Sequence, residues 1–384
     1  MSAAPDTRRP ADTAADGTPG SDDTPYFDDT PCFDAAALRE FATGLLRAGG
    51  MREDLARDTA DVLVESDLLG YPTHGLAFLP AYLDRLAKGH MARDGEVTVV
   101  NETPSTFSWQ ANRLPGAWVM RRAIEATLAR MQSQAVVIAT IANSSHIGCL
   151  QAYLPEITRH GLMAILSATN PGIATVAPFG GIDPVLTSNP IAVGMPTAGL
   201  PILVDVSTSL VTNAAVYTRQ QTGTPFDTPC LLDNQGAPST DPAVLAAKPP
   251  GTILPIGGVE FGHKGFGLGL VVEALALALS GGGRALAPDT FGQSVFLQVI
   301  DPRHLGGGLD YFMRETTELA ARCRASRVAP GRPPVRLPGE RSLGERERRL
   351  QEGVPIDARV QERLAAHGRT VGIEFPQRLD RRRR

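Results

Sequence analysis

The chain has 384 residues, a formal net charge of −4 and 42% hydrophobic residues, a composition typical of a globular protein. Charges of both signs are mixed along it, which argues against a general attraction to nucleic acid or to a membrane surface. The four cysteines are far apart and form no Cys-x-x-Cys pair, so we expect reduced thiols in the cytoplasm, with no disulfide framework and no metal site.

The two ends of the chain differ in composition from the middle. Residues 1–34 are rich in Asp, Thr, Pro, Ala and Gly without an apolar stretch, which predicts a disordered leader and not a signal peptide. Residues 377–384 end in four arginines and are expected to form a solvated basic tail. No apolar run of about 18 residues suited to spanning a bilayer is present.

The first ordered segment reads as three helices. Asp34 is placed to cap a helix over 35–48, which Gly49 and Gly50 end. A second helix is predicted over about 52–69 and a third over about 76–88, with apolar residues at helical spacing in the first two. The glycine- and proline-containing turn between the last two helices carries His74.

Strands and helices alternate further along, which indicates an α/β class. Short strands begin after Met91, and residues 215–255 read as loop-rich. The segment over 266–280 is apolar on all sides except at Glu273, which predicts a helix buried on most sides. From about residue 311 the pattern is that of amphipathic helices. Further helices are expected over 116–131 and 148–159, and strands over 135–142, 162–168, 190–195, 201–206 and 296–300.

Three of the seven histidines lie in glycine- or serine-containing turns at the ends of apolar runs: His74, His146 and His263. Histidine exchanges a proton near neutral pH, and turns bring side chains to ligands. We therefore expect one enzyme pocket assembled from distant parts of the chain. No G-x-G-x-x-G follows a first strand, so an ordinary Rossmann turn is not expected.

Several short motifs occur together in one order, and the chain thereby resembles the malate/L-lactate dehydrogenase family from about Leu38 to about Pro376. The resemblance implies an α/β fold with a mixed sheet that is not a classical Rossmann fold. It also implies a helical part at about 35–110, a cofactor-binding part at about 111–300, and C-terminal helices that return to the first part. The motifs are Thr73-His-Gly75, Ser145-His-Ile-Gly148, Pro178-Phe-Gly-Gly181, Ser188-Asn-Pro190, Asp205-Val-Ser-Thr-Ser209 and Gly262-His-Lys-Gly265.

The family resemblance implies an NAD(P)-dependent oxidoreductase that transfers a hydride between the nicotinamide and a 2-oxo or 2-hydroxy acid, acting as a homodimer on a small molecule. A cyclic imino acid reductase and a catalytically silent dinucleotide-binding relative remain open. NAD and NADP are not distinguished, because no acidic ribose clamp or phosphate-binding arginine can be placed.

The same resemblance implies roles for individual residues. His74 and His146 are the catalytic candidates, and the sequence does not decide which one transfers the proton and which orients the carbonyl. Thr73 and Tyr82 are expected at the substrate. The expected cofactor-binding residues are Asn170, Asp205, Val206, Ser207, Thr208, His263, Lys264, Gly339 and Glu340.

Some of these residues also have a purely structural interpretation. His74 and Asp205 could cap helices, His146 could hydrogen-bond within its turn, and Gly339-Glu340 could form a turn before a helix. Lys264 could be a solvated lysine.

Position 78 departs from the family pattern. Many relatives have an arginine four residues after the first motif's histidine, suited to pairing with a substrate carboxylate, and this chain has Phe78. Either another cation replaces it or the substrate lacks a carboxylate there. We expect a bulkier or more apolar substrate.

Overall fold

The structure is a computed structural model that describes residues 30–285 and 292–379. The predicted leader, apart from its last residues, and the arginine-rich end of the predicted tail lie outside the described residues. The α-helices are α1 (Ala35–Ala48), α2 (Glu53–Leu68), α3 (Leu79–Ala87), α4 (Gly116–Arg130), α5 (Leu154–Thr158), α6 (Asn213–Thr222), α7 (Gly258–Phe261), α8 (His263–Val272), α9 (Gly308–Arg324), α10 (Glu340–Glu352) and α11 (Ala358–Val371).

Seven strands form the main sheet, in the order β2-β3-β4-β11-β5-β6-β7. Strands β3 and β4 are parallel and every other neighbouring pair is antiparallel, so the predicted mixed sheet is confirmed. The strands are β1 (Cys32–Phe33), β2 (Thr98–Glu102), β3 (Thr106–Gln110), β4 (Val136–Ser144), β5 (Met163–Thr169), β6 (Ile191–Met195), β7 (Ile202–Val206), β8 (Leu231–Leu232), β9 (Pro238–Ser239), β10 (Thr252–Ile253), β11 (Gln293–Ile300) and β12 (Val354–Pro355).

A continuous core joins the sheet to the N-terminal helices. Helix α2 packs between α1 and α4, and α4 packs on β4. The C-terminal helices lie against the same layer, α10 on α2 and α11 on α1 and α3. The turn between α2 and α3 is thereby held against the segment that follows β4, and this contact builds the candidate site.

Several predicted helices agree with the structure because their end signals are local. Asp34 Oδ1 accepts the Ala37 N–H at 2.9 Å, which begins α1 at the predicted residue. The expected helix over 148–159 is instead a 3₁₀ turn over Leu150–Tyr153 followed by the short α5.

The expected loop region over 215–255 contains more structure than its composition indicates. Helix α6 covers its start, and β8, β9 and β10 form a small antiparallel sheet. These elements enclose a second, smaller apolar core that includes Val176, Val216 and Leu231. Strands of two residues are too short to produce a periodic pattern, which explains why the sequence did not show them.

Helix α8 is less buried than predicted. One stripe faces the rest of the chain, formed by Gly265, Gly269 and Val272 and continued by Ala276 in the π-helical turn over Glu273–Ala278. The side chains of Leu268, Leu270 and Val271 are each about half exposed. Among the described residues, no helix is both long enough and apolar enough to cross a bilayer.

Candidate active site

The turn over residues 70–75 presents His74 at the end of α2. Gly70 has φ +86°, and the chain then forms a 3₁₀ turn over Pro72–His74. The buried Asp67 carboxylate, near the end of α2, accepts a hydrogen bond from the Leu76 N–H at 2.8 Å. Gly75 packs so closely on that carboxylate that an added Cβ would overlap it. Asp67 and Gly75 therefore fix where His74 lies.

His146 reaches the same place from the segment after β4. Its ring centroid is 5.9 Å from that of His74, and the two rings are inclined by only 17°. Gly116, at the start of α4, leaves no space for a Cβ beside the His146 carbonyl, so this backbone is held closely. The two predicted catalytic histidines are thus neighbours in the folded chain.

Hydrogen bonds determine the tautomer of His146. The Gly148 N–H donates to Nδ1 at 3.2 Å, so Nδ1 carries a lone pair and the neutral ring carries its hydrogen on Nε2. The Tyr82 hydroxyl lies 2.9 Å from the same Nδ1 and 3.3 Å from the His146 carbonyl oxygen. Burial raises the pKa of Tyr82, so its hydroxyl stays protonated and donates.

His146 is held neutral at physiological pH. Desolvation lowers the pKa of His146 well below 6.5, and the nearby His74 and Arg85 lower it further. At His74, the Thr73 hydroxyl lies 3.1 Å from Nδ1. Thr73 and Tyr82, predicted at the substrate, therefore each contact one of the two imidazoles.

Phe78 forms an aromatic wall beside His146. Its ring stacks on the His146 ring at 4.7 Å between centroids, and Tyr82 packs edge-on against it at 5.5 Å. The guanidinium carbon of Arg85, from α3, lies 5.7 Å from the Phe78 ring centroid. Position 78 is thus apolar here, with an arginine close by.

The predicted cofactor segment over 205–208 covers the last two residues of β7 and the two residues after it. An oxygen of Asp205 accepts the Gln151 N–H at 2.8 Å and lies 3.6 Å from the Cys149 thiol, and burial raises the pKa of Asp205 to about 6. Asp205 thus caps the 3₁₀ turn at Leu150 and not the following helix. Ser207 and Thr208 donate their hydroxyl hydrogens to backbone carbonyls, which leaves the two oxygens able to accept hydrogen bonds.

Helix α8 begins directly against this segment. Gly265 has no space for a Cβ, which would overlap the backbone of Ile256 and lie against the Thr208 carbonyl. His263 packs edge-on against Phe179, and the Lys264 ammonium lies 5.2 Å from the Phe261 ring centroid; both side chains are exposed. His263 and Lys264 therefore lie beside the 205–208 segment, while His74 and His146 face each other.

The side chains that these elements present are of the kinds that bind a dinucleotide. Val206 offers an exposed apolar side chain, Ser207 and Thr208 offer acceptors for amide or ribose donors, and Lys264 brings a positive charge to a helix N-terminus.

The other predicted cofactor residues have local partners. Asn170 is buried and accepts the Gly172 N–H at 2.9 Å. Gly339 has φ +95° and packs on Leu203. Glu340 pairs with Arg324 and accepts the Leu337 N–H at 2.9 Å, which lowers the pKa of Glu340. Their roles toward a cofactor stay predictions.

Sequence reasoning did not single out a polar network next to Asn170. Asn189 Nδ2 donates to Glu273 Oε1 at 2.9 Å, and Arg284 pairs with Glu273 at 2.7 Å. The Thr169 hydroxyl lies 2.7 Å from Asn189 Oδ1 and 3.0 Å from Glu273 Oε1. The signal was present in Glu273, because a carboxylate inside an otherwise apolar helix requires a partner.

The fold is of the α/β class and brings two imidazoles from distant segments together. A family model described as malate/L-lactate dehydrogenase matches residues 33–365, and the chain belongs to this family. The predicted family, the fold class and the dehydrogenase class are therefore confirmed.

Individual relatives span several named substrates. The chain is 29% identical to an L-sulfolactate dehydrogenase of Methanothermobacter thermautotrophicus, over 86% of this chain and 94% of that protein. A solved malate dehydrogenase from Pyrococcus horikoshii OT3 matches with a TM-score of 0.81 and 27% identity, over 91% and 97% of the two chains. A delta1-piperideine-2-carboxylate reductase from Pseudomonas syringae pvar. tomato matches with a TM-score of 0.76 and 27% identity, over 88% and 100%.

Proposed function

We propose that the chain is an NAD(P)-dependent dehydrogenase that transfers a hydride between a nicotinamide cofactor and a 2-oxo or 2-hydroxy acid. The observation that carries this is the facing pair of His74 and His146, whose rings come from two distant segments and lie 5.9 Å apart. When bound, the cofactor exchanges the hydride, and the chain must supply or remove the proton at the substrate oxygen.

The geometry supports a division of labour between the two histidines. The Nδ1 atom of His146 accepts hydrogen bonds, so loss of the Nε2 hydrogen would leave an anionic ring or require a proton from the buried Tyr82 hydroxyl. The neutral His146 is therefore a poor acid but a good hydrogen-bond donor that can orient the substrate carbonyl. His74 is left as the group that exchanges the proton with the substrate oxygen.

The cofactor side of the proposal uses the end of β7 with the two residues after it, and the start of α8. Asp205, Val206, Ser207 and Thr208 would face the nicotinamide and its ribose, with Asn170 beside them. His263 and Lys264 would hold the pyrophosphate, and Gly339 and Glu340 the adenosine end. Both NAD and NADP remain candidates.

The test is a fluorescence titration with NADH and NADPH, followed by turnover of a panel of 2-oxo acids and cyclic imines. His74→Gln is expected to lose turnover by about 100-fold or more, while cofactor affinity stays within about twofold. His146→Gln keeps an N–H donor and is expected to lose only about tenfold. His90→Gln, at an exposed histidine after α3, is the matched control. Cofactor binding without turnover of any substrate would instead indicate a silent relative.

A cyclic imino acid reductase is the second candidate function. The match to the piperideine-2-carboxylate reductase, complete over that chain, supports it. The same panel separates the two candidates, because an imine reductase would reduce cyclic imino acids with a larger kcat/KM than open-chain 2-oxo acids.

We further propose that the chain acts as a homodimer. The half-exposed Leu268, Leu270 and Val271 of α8 form an apolar surface next to the candidate cofactor segment. Apolar surface of this kind on a helix is characteristic of a subunit interface.

A further inference from the structure

A buried glutamine, Gln151, lies where distant segments of the candidate site meet. It belongs to the 3₁₀ turn over Leu150–Tyr153, shortly after His146, and it is only 1% exposed. A side-chain amide that is removed from water needs hydrogen-bond partners for both its oxygen and its N–H groups. The partners of Gln151 come from other parts of the chain.

The hydrogen bonds of the Gln151 side chain run in one direction. The Tyr71 hydroxyl, from the turn that carries His74, donates to Oε1 at 2.9 Å. Nε2 donates to the hydroxyl oxygen of Ser342, near the start of α10. The Ser342 hydroxyl donates in turn to the Gly339 carbonyl at 3.0 Å. Because its hydrogen is used there, Ser342 accepts from the amide, which determines that the amide oxygen faces Tyr71.

The backbone of Gln151 reaches the candidate cofactor segment as well. Its N–H donates to Asp205, near the end of β7, at 2.8 Å. Burial raises the pKa of Tyr71 to about 12, so Tyr71 remains a donor at physiological pH. Hydrogen bonds in such a chain polarise one another and are stronger inside a protein than in water. Gln151 thus joins the His74 turn to Asp205 and to Gly339.

We propose that Gln151 is a positioning residue that couples the cofactor side of the candidate site to the turn that carries His74. It acts through Tyr71, because its amide oxygen holds the Tyr71 hydroxyl and the 3₁₀ turn over Pro72–His74 begins at the next residue. A dinucleotide held at Asp205 and Gly339 would therefore also order the His74 turn for the substrate. The inference rests on the proposed function, since the dinucleotide is the ligand whose binding is transmitted.

Hydrogen exchange followed by mass spectrometry measures this coupling in the full chain. In the wild type, we expect saturating NADH or NADPH to slow exchange by about tenfold in peptides covering 71–76 and 205–210. Gln151→Met removes both side-chain bonds at similar volume. In this variant the slowing should remain at 205–210 and fall below about twofold at 71–76. Tyr71→Phe removes a single hydroxyl and should leave a slowing of about threefold at 71–76.

Thr59→Val is the matched control for the loss of a buried hydrogen bond. The buried Thr59 hydroxyl donates to the Leu55 carbonyl within α2 at 2.7 Å, so this substitution removes one such bond but none of those made by Gln151. We expect Thr59→Val to keep the full response at 71–76, because a merely structural role raises exchange without changing the response to the dinucleotide. A full response in Gln151→Met, or an equal loss of response in Thr59→Val, overturns the inference.

A measurement without cofactor separates this inference from the proposed function. In the ligand-free chain, exchange of the 71–76 peptide is followed in a double-mutant cycle of Tyr71→Phe and Ser342→Ala. We expect the two effects to be non-additive by about fivefold or more, and to become additive in the Gln151→Met background. If neither NADH nor NADPH binds while this coupling is present, the proposed function fails and the positioning role of Gln151 stands. Additive effects in the wild-type background, or coupling that persists in Gln151→Met, overturn the inference with or without a cofactor.

Discussion

Asp67 lies buried beneath the turn that carries His74, and its protonation is linked to stability. Burial raises the pKa of Asp67 to about 7, although the Leu76 N–H and Arg349 act in the opposite direction. The folded chain therefore binds more protons than the unfolded chain between about pH 4 and pH 7. The free energy of unfolding thus falls as the pH rises through this window, and the full cost of ionising Asp67 is present above pH 7.

Replacing Asp67 by Asn removes this cost and keeps an acceptor for the Leu76 N–H. We expect the stability of Asp67→Asn relative to the wild type to be about 2 kcal/mol more favourable at pH 8 than at pH 5. Melting temperatures at the two pH values measure the difference. Asp84→Asn, at an exposed carboxyl on α3, serves as the control. A relative stability that is the same at both pH values would contradict the linkage.

Gly75 tests how closely the His74 turn must pack. A Cβ at this position would overlap the Asp67 carboxylate, so Gly75→Ala must displace either the carboxylate or the turn. We expect a loss of about 1–3 kcal/mol in stability and a fall in turnover larger than any change in cofactor affinity. Gly344→Ala, in α10 where a Cβ meets open space, is the control and should be neutral or slightly stabilising. Equal effects of the two substitutions would show that space at Gly75 is unimportant.

At the level of single residues, part of the candidate site could be predicted from the sequence. The family resemblance of two motifs predicts that His74 and His146 share one site, and their ring centroids lie 5.9 Å apart in the structure. The tautomer of His146 depends on the Tyr82 hydroxyl from α3 as well as on the nearby Gly148 N–H. Contacts between such distant segments leave no signal in the spacing of one sequence.

Among the elements, the π-helical turn after α8 begins at Glu273, which forms an ion pair with Arg284. The pair lies partly buried at 2.7 Å and is joined by Asn189 and Thr169. Removing one member leaves the other charge desolvated and unmatched, whereas removing both leaves an apolar contact.

A double-mutant cycle measures this pair. Glu273→Leu alone is expected to cost about 3 kcal/mol, and the double variant Glu273→Leu/Arg284→Leu about 1–2 kcal/mol less than the sum of the single variants. Thermal unfolding supplies the four stabilities. Additive effects would show that the network contributes little to the turn.

The helices were more predictable than the strands for a physical reason. α1 and α2 each show apolar residues at helical spacing and end at glycines, and the predicted bounds of α1, α2 and α4 agree within one or two residues. Strands β1, β8, β9, β10 and β12 have two residues each and are defined by partners far along the chain. Their existence depends on tertiary contacts that local pattern does not encode.

At the scale of the whole molecule, the order of the main sheet follows from long-range pairing. Strand β11 lies between β4 and β5, although more than 100 residues separate it from either in sequence. The sequence predicted these three strands but contained nothing about their neighbours. The family resemblance, and not the pattern of residues, supplied the mixed sheet that the structure confirms.

The exposed apolar side chains of α8 bear on whether two copies of the chain associate. Its buried stripe accounts for the glycines at 265 and 269, whereas Leu268, Leu270 and Val271 stay about half exposed in the single chain. Placing a charge at Val271 would desolvate that charge in an interface but would cost little on a free surface. We expect Val271→Glu to be monomeric by light scattering at a concentration where the wild type is dimeric, with the fold retained by circular dichroism. Val100→Glu, at an exposed valine on β2, is the control. A wild type that is monomeric at high micromolar concentration, or a Val271→Glu variant that stays dimeric, would remove α8 from the interface.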